Sequence, residues 1–164
     1  MKYIIPFALI FLSACLKNEV TLDYSGIKPV IVIPNANWPA KGYAPQLTDS
    51  AAGITRLNVY ARVSYDKPLD KDVRVRFVID NAQAEQYNNQ WGADYRLLPA
   101  NCYEANAMEI TIPAGTQQAL LPVTIIPGNM DPQYNYILPV SIASADGYTV
   151  GANFKTMIFT LKGQ

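Results

Sequence analysis

Four consecutive residues near the start, Leu12-Ser13-Ala14-Cys15, carry the most explicit chemistry in the chain. A signal peptidase needs small side chains just before the bond it cuts, and Ser13 and Ala14 supply them. A lipid-transferring enzyme needs a thiol to alkylate, and Cys15 supplies it. Lys2 precedes the motif with a positive charge, and Tyr3 to Leu12 make the apolar run. Together these features predict a lipoprotein signal peptide over residues 1–14 and lipid attachment at Cys15. The competing reading is a transmembrane anchor, but about ten apolar residues fall short of the roughly 20 that span a bilayer. Acylation of Cys15 leaves Cys102 without an internal disulfide partner. Cys102 is then either an intermolecular bridge or, as expected, a small semi-buried side chain.

Other reactive constellations are scarce. Histidine is absent from the 164 residues, which removes a Ser-His-Asp triad, a Cys-His pair and most zinc sites. There is no glycine-rich phosphate loop and no CxxC pair. A carboxylate pair for glycoside hydrolysis would have to come from Glu85, Glu104, Glu109 or the aspartates, and nothing in their spacing brings two together. Asp66, Asp70 and Asp72 crowd one turn, but Lys67 and Lys71 interleave with them and the spacing matches no calcium loop. A solvated turn is expected there. No catalytic residue, metal or cofactor is assigned, and the chain is read as not an enzyme.

Aromatic side chains are the remaining candidates. A flat exposed ring matches the C–H face of a sugar, and neighbouring amides and carboxylates suit its hydroxyls. Trp91 stands beside Asn88, Asn89, Gln90 and Asp94, while Trp38 and Tyr43 share a long early loop. Trp91, Trp38, Tyr43, Asn89 and Asp94 are therefore the candidate ligand-binding residues. The bland alternative for both tryptophans is packing in the core of a small sandwich.

These residues need a scaffold, and the composition bounds it. Half of the residues are hydrophobic, 16% are charged, and the 13 basic residues balance 13 acidic ones. That is a globular composition, large enough for one domain, and it gives nucleic-acid binding no electrostatic support. Residues 15–26 read as a lipid-anchored tether, and residues 27–164 as the folded domain. Ile27 to Ile33 is a β-rich run, and residues 35–53 form a loop punctuated by Pro39, Gly42, Pro45 and Gly53. Leu57, Val59, Ala61, Val63 and Tyr65 alternate with polar residues, and Val73, Val75, Phe77 and Ile79 repeat the pattern. The two runs, joined across Pro68-Leu69-Asp70, read as a hairpin. Residues 80–91 favour one short helix that crosses between sheets, capped by Asp80 or Asn81 and ended by Gly92. Further strands are expected at Met108 to Ile112, Ala119 to Ile126, Tyr136 to Ser144 and Phe154 to Lys162. About seven short strands with regular turns predict an all-β, antiparallel sandwich.

Between Ile79 and Ile142 several short pieces stand in a fixed order: Glu85-Gln86-Tyr87-Asn88, Tyr95-Arg96-Leu97-Leu98-Pro99, Tyr103, Ile110-Thr111-Ile112-Pro113-Ala114-Gly115 and Tyr136-Ile137-Leu138-Pro139-Val140. With the lipobox ahead of them, they resemble domain of unknown function number 1735 of Bacteroidota surface lipoproteins. The resemblance covers Ile27 to Gly163. It implies an immunoglobulin-like sandwich of the kind that leads surface glycan-processing or carbohydrate-binding proteins. No second module is expected after the sandwich. The tyrosines of these marks are expected to serve the scaffold, with rings packed and hydroxyls capping backbone groups.

The reading that results is a non-catalytic lipoprotein module, held to the outer membrane by its lipid with the cell-surface face favoured. Its expected partners are a glycan and other surface lipoproteins of an uptake complex. The alternative is a structural or adhesive subunit that pairs edge strands between chains, motivated by the low charge of Ile27 to Ile33 and Met157 to Leu161.

Overall fold

The computed structural model describes residues 26–45, 55–105 and 107–163. The signal segment, Cys15, most of the tether and the early loop beyond Pro45 lie outside the described residues. In chain order the elements are β1 (Val30–Val32), β2 (Thr55–Ser64), β3 (Val73–Ile79), α1 (Asn81–Trp91), β4 (Arg96–Leu97), β5 (Tyr103–Glu104), β6 (Glu109–Ile112), β7 (Gln118–Ile125), β8 (Asn135–Ala145), β9 (Thr149–Val150) and β10 (Thr156–Lys162). One sheet runs β5-β7-β2-β1-β9. The other runs β10-β8-β3-β6, with β4 added beside β8. The described residues thus hold ten strands, three of them only two residues long, where the sequence suggested about seven. The short ones escape a periodicity reading because two residues show no alternation.

The alternation itself is faithful. Leu57, Val59, Ala61 and Val63 of β2 are buried, and so are Val73, Val75 and Phe77 of β3, while Arg56, Asn58, Arg62, Arg74 and Arg76 face out. With Leu121, Val123 and Ile125 of β7, these side chains form one core between the sheets. Burying each such side chain contributes about 1.5–3 kcal/mol.

Three expectations about topology need correction. First, β2 and β3 are not a hairpin. β2 pairs with β1 and β7, and β3 with β6 and β8, so residues 65–72 arch from one sheet to the other. An arch and a hairpin bury the same alternate residues, and only pairing separates them. The arch is pinned to the Pro113–Gly115 turn: Ala114 N–H donates to Asp72 Oδ1 at 2.8 Å, and Gly115 N–H to the Leu69 carbonyl at 2.8 Å.

Second, α1 does not cross between sheets. It leaves the second sheet after β3 and returns to it at β4, which takes over the pairing with β8 at Tyr136 and Ile137. The crossing comes later, over Leu98 to Cys102, both buried in the core. Third, the sandwich is not wholly antiparallel: β1–β9 and β4–β8 are parallel pairs.

Helix α1 also explains why β8 and β10 are buried on successive residues. Leu138, Val140, Ile142, Met157, Phe159 and Leu161 face the core, while Ile137 and Ile158 point the other way and pack under Ala84 and Tyr87 of the helix. A strand covered on both faces loses its polar alternation.

The edge strands that motivated an adhesive role are also covered. β1 lies between β2 and β9. The outer edge of β10 is bonded by residues 37–43. Asn37 mimics a strand there, its Nδ2–H₂ donating to the Ile158 carbonyl at 2.8 Å and its Oδ1 accepting from Ile158 N–H at 2.7 Å. Tyr43 continues the pairing, donating to the Ile158 carbonyl and accepting from Thr160 N–H, both at 2.9 Å. A side chain and a loop thus satisfy the backbone groups that an unpaired edge would present.

Candidate functional site: an aromatic cluster beside a polar cleft

The local sequence sets up the helix. Asp80 caps the start, its side chain accepting from Gln83 N–H, and Gly92 ends it in the left-handed conformation at φ 59°. Ala84, Tyr87 and Trp91 fall on one face by the i, i+3, i+7 spacing. Ala84 and Tyr87 are buried against the sheet, and Trp91 projects past it, 40% exposed. Asn88 then clamps the returning chain: its Nδ2–H₂ donates to the Tyr95 carbonyl at 2.7 Å, and its Oδ1 accepts from Tyr95 N–H at 3.1 Å.

Tyr87 is the hub. Its ring centroid lies 6.4 Å from Trp38, 6.4 Å from Trp91 and 5.9 Å from Tyr95. The separations and tilts suit aromatic edge-to-face attraction. The Tyr87 hydroxyl accepts from Gly42 N–H at 3.1 Å, and Gln90 Nε2–H donates to the Pro39 carbonyl at 2.7 Å. The 37–43 segment is therefore tied to both the edge strand and the helix. That geometry brings Trp38 and Trp91, far apart in sequence, to the same tyrosine. Lys41 completes the group, its Nζ 5.3 Å from the Trp91 ring centroid, a cation–π distance.

Tyr43 goes elsewhere. It is 56% exposed, its ring edge-on to Phe159 at 6.3 Å, and it lines an open cleft of about 990 Å³ between the 35–45 segment, β2 and β10. Lys41 lines the same cleft, with Arg56, Asn58 and Tyr60 from the outward face of β2. Asn89 and Asp94 are exposed, and no hydrogen bond places either in the cluster. Of the five candidates, the structure joins Trp38 and Trp91, sets Tyr43 in the adjoining cleft, and leaves Asn89 and Asp94 outside both.

Lys41, Gln90, Arg56 and Tyr60 had not been singled out as site residues. Only Gln90 carried a signal, its place beside Trp91. The others depend on which strand the loop crosses.

The tyrosines of the ordered marks are scaffold residues, as expected: Tyr87 caps a loop amide, Tyr95 packs on Tyr87, and Tyr103 packs on the core. Cys102 is fully buried, and burial pushes its thiol pKa up; its Sγ lies 3.2 Å from the Asn129 carbonyl. Among the described residues no group of His, Cys, Asp or Glu is arranged to hold a metal ion, and no helix is long and apolar enough to cross a membrane.

Solved structures share this fold. A candidate carbohydrate-binding protein of Bacteroides ovatus is 13% identical, with TM-score 0.64 over 82% of this chain and 37% of that one. A multidomain protein of Bacteroides ovatus that includes DUF1735 is 15% identical, with TM-score 0.63 over 82% and 45%. Bacteroides thetaiotamicron EndoBT-3987, solved with a Man5GlcNAc product, is 20% identical, with TM-score 0.53 over 80% and 30%. The chain thus spans less than half the length of each. At these identities the likeness is one of fold. No curated protein matches the chain. A family model described as a "-like, N-terminal domain" matches residues 28–149, well over half of the 164 residues, and the chain belongs to that family of N-terminal domains.

Proposed function

We propose that this chain is a non-catalytic, lipid-anchored module of the outer membrane that holds glycan at the cell surface, and that it is an instance of domain 1735. The observation that carries the reading is the cluster around Tyr87, in which Trp91 stays 40% exposed while Tyr87, itself packed on Trp38, lies against its ring. A ring fixed by its neighbours loses little side-chain entropy when a sugar stacks on it. The candidate carbohydrate-binding relative and the Man5GlcNAc-bound one support a glycan context. Orientation supports it too. β1 begins at the end of the sandwich where Val30 meets Ser64 and Thr149, beside the Ala145–Tyr148 turn. The aromatic cluster sits over Ile137 and Ile158, toward the other end of β8. A lipid at Cys15 would be joined to the first end, the one opposite the cluster. Two or more acyl chains, at about 0.8 kcal/mol per buried methylene, make such anchoring stable.

The test is binding of the detergent-solubilised full chain to a panel of polysaccharides and host glycans. A hit that Trp91→Ala and Trp38→Ala weaken establishes the module and its site. A hit that neither substitution changes removes the site assignment. Silence from a folded protein shifts the reading to a structural role in a surface assembly.

A further inference from the structure

We infer that the cleft beside the aromatic cluster selects anionic polysaccharides, with Lys41 and Arg56 as the cations that meet their carboxylate or sulfate groups. The inference rests on the glycan reading above and names its substrate class. The cleft measures about 990 Å³, within the range of sites that hold a ligand of a few rings. Two cationic side chains line it, and none of its described lining residues is an aspartate or glutamate. Among the described residues the ion pairs are those of Arg74 and Arg76 with Glu109 on another face, and neither Lys41 nor Arg56 takes part in one there.

Two further features fit a ligand with rings and charge. Tyr43 and Tyr60 line the cleft with aromatic rings, and Asn58 with an amide. Lys41 stands at the junction: it lines the cleft while its Nζ lies over Trp91. Its backbone is fixed on the C-terminal side, where Gly42 N–H bonds Tyr87 and Tyr43 pairs with β10. A polymer stacked on Trp91 would therefore pass Lys41 as it enters the cleft, and a charged substituent there would replace the ring as partner of the ammonium group. Charge-assisted hydrogen bonds are about twice as strong as neutral ones.

The test compares three acidic polysaccharides (polygalacturonate, alginate and chondroitin sulfate) with their carboxyl-reduced or desulfated forms, using the full chain in detergent. At least one acidic polymer is expected to bind about tenfold or more tightly than its neutral form at 50 mM salt. That advantage should shrink at 0.5 M, where the Debye length falls to a few ångströms. Lys41→Gln and Arg56→Gln should each cost about tenfold for the acidic polymer, the loss of one charged hydrogen bond, so that the preference for the acidic over the neutral form falls by the same factor. Lys41→Arg should retain binding, and Lys155→Gln, at an exposed lysine that does not line the cleft, serves as control. Unchanged melting temperatures separate these effects from misfolding. Equal binding of acidic and neutral forms, or binding only to neutral glycans, overturns the inference and leaves the glycan reading standing. Failure of a folded protein to bind any glycan overturns both.

Discussion

Replacing Tyr87 probes the packing of the site and its reporter at once. Tyr87 is buried to 5% exposure, touches Trp38, Trp91 and Tyr95, and accepts the Gly42 amide. Tyr87→Ala removes a ring from beneath the helix, and truncations of buried aromatics cost about 3–5 kcal/mol. Against a total stability of roughly 5–15 kcal/mol that is a large share, and the melting temperature should fall by about 10–20 °C for a domain of this size. Tyr87→Phe keeps the ring and removes the acceptor. It leaves the Gly42 N–H without its bond, at about 1–2 kcal/mol. The assay is urea unfolding followed by tryptophan fluorescence. The chain has two tryptophans, and both lie against Tyr87, so native emission reports on this cluster. Tyr87→Ala should shift that emission to the red before any denaturant is added, whereas Tyr87→Phe should lower the midpoint and leave the native spectrum close to that of the parent. A Tyr87→Ala protein with unchanged native emission and less than about 1 kcal/mol of lost stability would refute the hub assignment.

Gly42→Ala would place a Cβ 2.7 Å from Thr160 Cγ2 and 3.2 Å from Ile158 Cγ2; overpacking of this kind costs about 1–3 kcal/mol, and thermal unfolding should show it. Asn37→Asp keeps the shape but turns the donor to the Ile158 carbonyl into an acceptor, so the β10 edge should open and the protein self-associate; sedimentation that shows only monomer at high concentration would count against the edge-cap account. Cys102 titrates above its ordinary value because burial disfavours the thiolate. Its folded state therefore holds the proton more tightly than the unfolded one, so its contribution to stability is complete below the unfolded pKa of about 8.5 and is lost as pH rises above it. Cys102→Ala should flatten that alkaline decline in a pH series of urea midpoints, and in the parent a thiol reagent should label Cys102 only after unfolding.

The candidate site was legible in part. Asp80 and Gly92 bound the helix by local capping, which needs no distant partner; the sequence placed Gly92 and narrowed the start to Asp80 or Asn81. Trp38 and Trp91 were visible as unusual aromatics outside the ordered marks. That they meet at Tyr87 was not visible, because the meeting requires the 37–43 segment to lie on the β10 edge, a contact 121 residues apart in sequence for Asn37 and Ile158. Asn89 and Asp94 are near Trp91 in sequence alone. On a helix adjacent residues point about 100° apart, so Asn88, one residue earlier, makes the structural contact that Asn89 does not.

The division follows the range of the forces. Which residues alternate, where turns and helix caps fall, that the domain is built of strands, and that histidine chemistry is absent are all legible in the chain, since each depends on neighbours a few positions away or on composition alone. That β2 and β3 part into different sheets, that α1 returns to the sheet it left, and that one loop gathers Trp38, Lys41 and Tyr43 against a helix and an edge strand emerge from three-dimensional packing. Burial pattern is the same whichever partner a strand takes, so pairing is settled by the packing of the whole chain.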